Sequence, residues 1–363
     1  MKLDLSDGQK QLRASLAALL SKESSPARVR AAEPLGFDAR LWARLTAVGV
    51  PGMATRASGA SLVDLAVVCN EVGSHLAPAP VVDAFVATRV LDRLGGCPDD
   101  VASGDAVAGI AVSPSCDGWW RLVPAGAVAA LVVGLDGDDL VATRSDAPGV
   151  PPANIGCAPI ADRTTTGDRR VLARGRQARL AYEHALDEWQ VLTAAALAGL
   201  AAHALELGVD YTKQRQQFGE PIGSFQAVQQ RLADVATDGD GARLLAYEAA
   251  AALGADPVRF PVLAPMAFLF AARTAAAATA WSLHFHGGYG FMLEYDVQLY
   301  FRRAKGWPLL FGDPDRELAV LAERLYESSG GVAVPRLDEP VDPESFDFRL
   351  GDGAEAFRGE VRA

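Results

Sequence analysis

An arginine, a glutamine and a phenylalanine lie close together in the stretch YTKQRQQFGEPIGSFQAVQQRLAD, residues 211–234. Arg215 ends a basic turn, Gln217 and Phe218 follow it, and Pro221 interrupts the chain. A guanidinium group with neighbouring amide donors is suited to a phosphate or pyrophosphate. On this spacing alone, a solvated helix end is an equally good interpretation.

The elements that would position these residues are two helices joined by a tight turn. Ser224 is the expected N-cap of the second helix. In that helix apolar residues recur at i, i+3, i+7 and i+10, so they share one face. They are Phe225, Val228, Leu232 and Val235.

Composition indicates a soluble globular chain with room for two or three domains. It has 363 residues, of which 50% are hydrophobic and 22% are charged. The formal net charge of -11 argues against a nucleic acid as the main partner, because a phosphate backbone needs clustered positive charge. The four cysteines lack metal-type spacing, so we predict no metal site and interpret them as buried, reduced thiols of a cytoplasmic protein.

Neither the N-terminus nor the most apolar run predicts a targeting sequence or a membrane span. Charges are distributed throughout MKLDLSDGQKQLRASLAALL, and no cleavage-site pattern follows. The run at residues 261–283 is rich in alanine but contains Pro265 and Arg273. We interpret it as a bundle helix buried on most sides.

Hydrophobic periodicity predicts an α+β chain of three domains and a tail. Residues 1–104 are expected to form an N-terminal helical domain, with a capping box at Ser6 and Gln9. Residues 105–182 contain short β-prone runs, which indicate a small, mostly antiparallel β domain. Its last two strands are expected at RRVLARG and RQARLAY. Residues 183–330 are rich in alanine and leucine and predict a bundle of four or five helices.

The tail, residues 331–363, is rich in proline and acid and is interpreted as a linker. Its segment DGAEAFR, residues 352–358, resembles DGQKQLR, residues 7–13. If this short match is not chance, residue 346 begins a second copy of the first helix. An ordinary tail is the alternative.

Beyond these patterns, the sequence resembles the acyl-CoA dehydrogenase family. RQQFGEPIGSFQAVQQRLAD, residues 215–234, is close to the signature that this family carries across two bundle helices. HFHGGYGFMLEYDVQLYFRRAK, residues 284–305, resembles its glycine loop and the helix after it. LVDLAVVCNEVGSHLAPAP, residues 62–80, falls where the family has its N-terminal helical pair, and the resemblance extends over about residues 1–330.

The resemblance implies an FAD enzyme that converts an acyl-CoA thioester to a trans-2-enoyl-CoA. In the family a glutamate removes the α-proton while a hydride passes from Cβ to the flavin. The FAD lies at a subunit interface, where the neighbouring subunit contacts its adenosine and pyrophosphate portion. The chain is therefore expected to form a dimer or tetramer.

Carried over by position, the resemblance assigns cofactor contacts to this chain. Arg215 would contact the FAD pyrophosphate, Gln217 would donate a hydrogen bond, and Phe218 would pack on the cofactor. His284 stands where the family usually has glutamine. The glycine loop would let backbone N–H groups approach the cofactor, an ordinary helix-to-helix turn being the alternative. The loop residues are Gly287, Gly288 and Gly290.

The catalytic base is missing at both positions where family members carry it. Counting forward from RRAK places Phe311 at the usual glutamate, and counting back from Arg215 places Trp189 at the alternative site. Neither side chain can accept a proton, and both would fill the space of the acyl-CoA. The family's Thr-Glu-Pro segment of the first β strand is also eroded, since the chain reads IAVSPSCDGWW here.

Three carboxylates are weak candidates for a relocated base. Glu188 lies about 100° round the helix from Trp189. Asp313 is two residues past Phe311, and Asp315 is farther still. We interpret each as a solvated or capping group.

Motifs that serve a neighbour's FAD are therefore kept, while those that serve a site in this chain are damaged. The leading hypothesis is a non-catalytic half that completes the FAD site of a second acyl-CoA dehydrogenase subunit or domain carrying the catalytic glutamate. Such pairs occur in some actinobacterial enzymes that act on bulky CoA esters, such as steroid side chains. The alternatives are a self-sufficient dehydrogenase with Glu188 or Asp313 as base, and a flavin-free interaction module.

Overall fold

The computed structural model describes residues 4–327, so the predicted tail and its repeat-like end lie outside the described residues. Six helices form the N-terminal part of the described residues, in agreement with the prediction that this region is helical. The first begins with the expected capping box, in which Ser6 Oγ accepts a hydrogen bond from the Gln9 N–H and Gln9 Oε1 accepts one from the Ser6 N–H. The helices are α1 (Asp7–Glu23), α2 (Pro26–Ala32), α3 (Ala39–Ala47), α4 (Leu62–Ser74), α5 (Val81–Leu94) and α6 (Asp99–Ser103).

Six short strands follow and form the predicted β domain. They are β1 (Ala108–Ile110), β2 (Trp119–Val123), β3 (Leu131–Asp136), β4 (Asp139–Arg144), β5 (Ala161–Thr164) and β6 (Asp168–Arg174). One sheet has the order β1-β3-β4-β6, and β2 pairs with β5 in a second. All paired strands are antiparallel except β1 and β3, so the domain is mostly antiparallel.

The expected strand RQARLAY forms instead the first two turns of helix α7 (Gly175–Gln214). Gly175 has a φ of 56°, a left-handed conformation in which the chain leaves strand β6. After it, Ala178, Tyr182 and Ala185 are buried at helical spacing. The strand prediction is wrong because a segment of seven residues is too short to distinguish the hydrophobic period of a strand, about 2 residues, from that of a helix, about 3.6 residues.

Five helices form the C-terminal bundle, within the predicted number. They are α7, α8 (Gln226–Ala255), α9 (Phe260–His286), α10 (Val297–Leu309) and α11 (Pro314–Ala322). A hairpin of two-residue strands, β7 (Gln216–Gln217) and β8 (Glu220–Pro221), lies between α7 and α8.

Two helical segments of the bundle are long and apolar enough to cross a membrane by length and composition. They are α7 and the continuous segment Phe260–Phe291. In their most apolar windows, 72% and 56% of the residues are buried inside the protein. The apolar surface is therefore used in the bundle core, as expected for residues 261–283.

Two local expectations are wrong. Ser224 is not the N-cap of α8, because it belongs to a 3-10 turn that directs its hydroxyl back to the Pro221 carbonyl. Phe225 takes the N-cap position without a side-chain hydrogen bond. The cysteines are free thiols, but of the four only Cys69 is buried, and Cys116 is exposed in a turn next to β2.

The N-terminal helices are fixed to the bundle by direct backbone contact between α4 and α7. A Cβ atom on Gly73 would lie 1.8 Å from the Ala196 carbonyl oxygen, and one on Gly199 would lie 1.9 Å from the Asn70 carbonyl oxygen. The Asn70 side chain also donates a hydrogen bond to the Ala195 carbonyl at 3.1 Å. Only glycine permits this approach, so the two helices can pack against each other in only one position.

We expect Gly199→Ala to lower the free energy of unfolding by about 3 kcal/mol, because the new methyl group must push two backbones apart. Gly239→Ala is the matched control, since a Cβ on this α8 residue would meet no atom within 4 Å. It should stabilise the chain by up to about 1 kcal/mol through helix propensity. Urea denaturation of both variants measures the difference, and equal effects would show that the α4–α7 contact is looser than described.

Candidate functional site

The arginine hairpin, residues 215–221, projects from the end of α7 with every residue exposed. Phe218 is 94% exposed and has a φ of 56°, in the left-handed region that a bulky residue rarely occupies. Its ring contacts only Phe225 among the described aromatic rings, edge-on at 6.2 Å. The backbone strain at Phe218 is not offset by packing of its ring within the described part of this chain. This combination indicates that the ring contacts another molecule.

Arg215 and Gln217 lie on this hairpin with their polar groups available. Within residues 4–327, no carboxylate pairs with Arg215, although most arginines there form an ion pair. Two backbone hydrogen bonds, both of 2.8 Å, hold the hairpin in place. The Arg215 N–H donates to the Tyr211 carbonyl, and the Arg215 carbonyl accepts from the Ile222 N–H. The structure therefore presents a fixed backbone with a free cation.

The glycine loop is a 3-10 turn, Gly287–Phe291, that follows α9 directly. Gly287 has a φ of 59°, and Cβ atoms on Gly287 or Gly288 would meet nothing within 4 Å, so the backbone there is open to a ligand. Gly290 has a different role, because its Cβ would lie 2.5 Å from the Leu283 carbonyl oxygen. This glycine lets the turn pack on its own helix.

The structure brings the two predicted motifs to one end of the bundle. Tyr211, four residues before Arg215, stacks on His286, which directly precedes Gly287. Helices α7 and α9 run in the same direction, since residues near both starts and both ends are in contact. His284 is exposed on the last turn of α9 and contacts the Trp281 ring edge-on at 5.5 Å.

The two predicted base positions also come together, although they are far apart in the sequence. Trp189 and Phe311 stack with ring centroids 5.4 Å apart and an angle of 20°. Phe268 of α9 contacts both rings, at 5.9 and 5.6 Å. Residues 189 and 311, the two positions at which the family carries its base, thus form one aromatic group in this chain.

A buried carboxylate fixes the orientation of the Trp189 indole. Trp189 Nε1–H donates a hydrogen bond to Asp83 Oδ1 at 2.8 Å, and both residues are buried. Burial raises the pKa of Asp83 from 3.8 to about 6, against the opposing effect of this hydrogen bond. Sequence reasoning missed Asp83, whose only signal is an acidic residue within the apolar run PVVDAFV.

Cavities lie on both sides of the aromatic group. One of about 90 Å³ is lined by Trp189, Asp83 and Thr193, which is room for about three water molecules. The other, of about 460 Å³, lies between the eroded β segment at Ser113 and the Phe311 turn, and its lining includes seven charged residues. They are Arg179, Glu183, Asp187, Asp313, Arg316, Glu317 and Arg324.

Glu188 faces away from this aromatic group and is fully buried among cations. It accepts two hydrogen bonds from Arg89, at 2.9 and 3.1 Å, pairs with Arg93, and lies 3.2 Å from His184 Nε2. Burial alone would raise its pKa, but the His184 hydrogen bond and the charges of Arg93 and Arg89 hold that pKa well below its usual range. These cations favour the ionised form of Glu188, which makes it poorly suited to accept a proton.

Asp313 is the N-cap of α11, and its Oδ1 accepts a hydrogen bond from the Asp315 N–H at 3.0 Å. Both carboxylates are exposed in the first turn of that helix. Their positions agree with the interpretation of capping and solvated groups.

Glu188→Gln should lower the free energy of unfolding by about 3–5 kcal/mol, because it leaves Arg89 and Arg93 without a compensating charge. Asp313→Asn is the matched control, since asparagine caps a helix as well as aspartate and should change stability little. Thermal denaturation of the isolated chain compares them. A Glu188→Gln protein as stable as the parent would contradict the structural role.

Asp83→Asn should change how stability depends on pH. The pKa of Asp83 is raised to about 6 in the folded chain, so its carboxyl ionises at a lower pH in the unfolded chain. The free energy of unfolding is therefore highest below pH 3.8 with respect to this group, and it falls as the pH rises towards 6. Asparagine still accepts from Trp189 but cannot ionise. The free energy of unfolding of the variant should therefore rise by about 3 kcal/mol relative to that of the parent as the pH increases from about 4 to about 6. Denaturation across this range tests it, and a constant difference would refute the assignment.

Comparisons with known proteins agree with this geometry. Residues 180–326 match the family model for the acyl-CoA dehydrogenase C-terminal domain. Acyl-CoA dehydrogenase IpdE2 of Mycolicibacterium smegmatis is 31% identical over 336 residues, which cover 89% of this chain and 100% of the relative.

Solved structures of similar proteins have the same fold. A variant of the Tcur3481-Tcur3483 steroid ACAD is 25% identical with a TM-score of 0.75, covering 87% of this chain and 97% of its own. The ChsE4-ChsE5 complex from Mycobacterium tuberculosis is 24% identical with a TM-score of 0.78, covering 89% and 98%. With its helical N-terminal part, small β domain and five-helix bundle, the chain belongs to the acyl-CoA dehydrogenase family.

Proposed function

We propose that this chain is the base-lacking half of a two-part acyl-CoA dehydrogenase and completes the FAD site of a second subunit or domain that carries the catalytic glutamate. The observation that carries the proposal is the stacked pair of Trp189 and Phe311. Both positions where the family places its base are occupied by rings that pack on each other. Neither ring can accept an α-proton from a substrate.

The exposed end of the bundle fits the anionic part of FAD, which the family generally uses. Arg215 would pair with the pyrophosphate, Gln217 would donate a hydrogen bond from its amide, and Phe218 would pack on the cofactor. The open backbone at Gly287 and Gly288 would allow close approach of N–H groups. FAD, when bound, supplies the acceptor for the substrate hydride.

The interior of this chain supports the same division of roles. The cavity behind Trp189, of about 90 Å³, is smaller than the cavities of roughly 300–1,000 Å³ that usually hold small-molecule ligands. The lining of the larger cleft beside Phe311 includes seven charged residues, and Glu188 lies on another face of α7, so this cleft does not lead to Glu188. The chain would therefore bind and orient a cofactor held mainly by its partner.

Two similar structures are described as pairs of polypeptides, Tcur3481-Tcur3483 and ChsE4-ChsE5, and the first is a steroid ACAD. They support a hetero-oligomer, of two or four subunits, as the working form of this chain. The steroid ACAD also favours a bulky acyl-CoA, such as a steroid side-chain thioester, as the substrate of the complex.

The absorbance spectrum of the purified full chain tests the proposal. Alone, the chain should be nearly colourless and should not oxidise acyl-CoA. Isolated from its own cells with its stable partner, it should be yellow and active, and the partner should carry a glutamate at the position of Phe311 or Trp189. Stoichiometric flavin and turnover by the chain alone would sink the proposal.

Arg215→Ala should weaken FAD retention by the complex about 10- to 100-fold, the cost of one lost charge-assisted contact. Arg176→Ala is the control, because Arg176 is also exposed but lies at the other end of α7. Flavin content after gel filtration is the measurement. If Arg215→Ala retains as much flavin as the parent, the flavin-free interaction module becomes the better account.

A further inference from the structure

We infer that His286 is a positioning residue of the cofactor site: its ring couples the arginine hairpin at the end of α7 to the glycine loop at the end of α9. This inference rests on the proposed function, because the site that it positions is the FAD contact of the two motifs. The coupling itself is a property of this chain and can be measured without flavin.

The coupling begins with the stack of Tyr211 on His286. The ring centroids are 4.1 Å apart, the shortest ring separation among the described residues, and the planes differ by 25°. Tyr211 is one turn before Arg215, and its carbonyl accepts the Arg215 N–H at 2.8 Å. His286 is bonded through the backbone to Gly287. A shift of either ring therefore moves both motifs.

A hydrogen bond fixes the orientation and the tautomer of the His286 ring. It is 7% exposed, and its Nδ1 lies 2.7 Å from the Ser282 carbonyl oxygen. Because a carbonyl only accepts, Nδ1 must carry the proton and donate it. Burial lowers the pKa of His286, so the ring is neutral near pH 7.

Two further rings continue the contact past the glycine loop. Tyr295 meets His286 edge-on at 6.1 Å, and Tyr289, within the loop, stacks on Tyr295 at 5.2 Å. Tyr211, His286, Tyr295 and Tyr289 thus form a continuous row from α7 to the loop. Aromatic pairs of this kind contribute beyond their buried area and keep a defined geometry.

Backbone contacts show that the helices are close enough for this row to act as a rigid link. A Cβ on Gly208, one turn before Tyr211, would lie 3.0 Å from Ser282 Oγ. Beyond the row, both motifs have exposed side chains, with Phe218 94% and Phe291 76% exposed. The ring row, with the buried His286 at its centre, is therefore the contact from which the two exposed motifs take their relative position.

Hydrogen–deuterium exchange of the isolated full chain tests the coupling with two opposed variants. His286→Asn keeps a side-chain N–H donor but removes the ring, and should speed exchange about three- to ten-fold in both residues 215–222 and 287–292. His286→Phe keeps the ring but loses the donor, and should leave both segments near the parent rate. His203→Asn is the control: His203 lies on α7, where its ring stacks on Tyr300, and its loss should change neither segment.

A second pair guards against misfolding of the histidine variants. Tyr211→Leu removes the other ring and should loosen both segments, whereas Tyr211→Phe should preserve them. Faster exchange in only one segment, or equal effects of the ring-keeping and ring-removing variants, would overturn the inference.

Flavin retention by the complex then links the coupling to the site. His286→Asn should reduce retention, and His286→Phe should restore it to the parent value. If the parent complex binds no flavin, the proposed function fails while the exchange data still decide the coupling. If retention falls without any change in exchange, His286 does not position the motifs.

Discussion

The direct backbone contact between α4 and α7 is the constraint on which the rest of this structure depends. Glycines at positions 73 and 199 allow the two helices to approach until carbonyl oxygens occupy the space of a missing side chain. Helix α5 follows α4 through a short turn and is thereby held along the first half of α7. The polar contacts that Trp189 and Glu188 make with α5 depend on this placement.

Helix α5 provides hydrogen-bond and ion-pair partners for two consecutive residues of α7 that point in different directions. Asp83 accepts from Trp189, while Arg89 and Arg93 surround Glu188. The two residues of α7 are about 100° apart round the helix, so a rotation or slip of α5 would break both sets at once. Buried polar groups are costly unless they are satisfied, and these contacts therefore specify the register between the helices.

Much of the architecture could be predicted from the sequence, because it is written in local patterns. The capping box of Ser6, the bundle helices and the exposed position of Arg215 follow from periodicity, spacing and family resemblance. The start of α7 at Gly175 and the loss of an N-cap role for Ser224 could not be predicted, since each depends on one backbone conformation.

The contacts that orient the site residues were equally hidden. Asp83 and Trp189 are 106 positions apart, and Phe311 and Trp189 meet only because α9 and the turn after α10 close over α7. Tyr211 and His286 have no sequence signal at all, because each is an unremarkable residue at a helix end. Such pairs depend on how helices are seated, which sequence periodicity does not specify.

The length of α7 separates the aromatic group around Trp189 from the arginine hairpin. Trp189 and Arg215 lie 26 residues apart, and at 1.5 Å per residue the helix places them about 39 Å from each other. That distance exceeds the length over which one substrate-sized ligand could contact both residues. Under the proposed function, the two ends of this single helix serve two different active sites. A change of the side chain at position 189 would then place no direct constraint on Arg215.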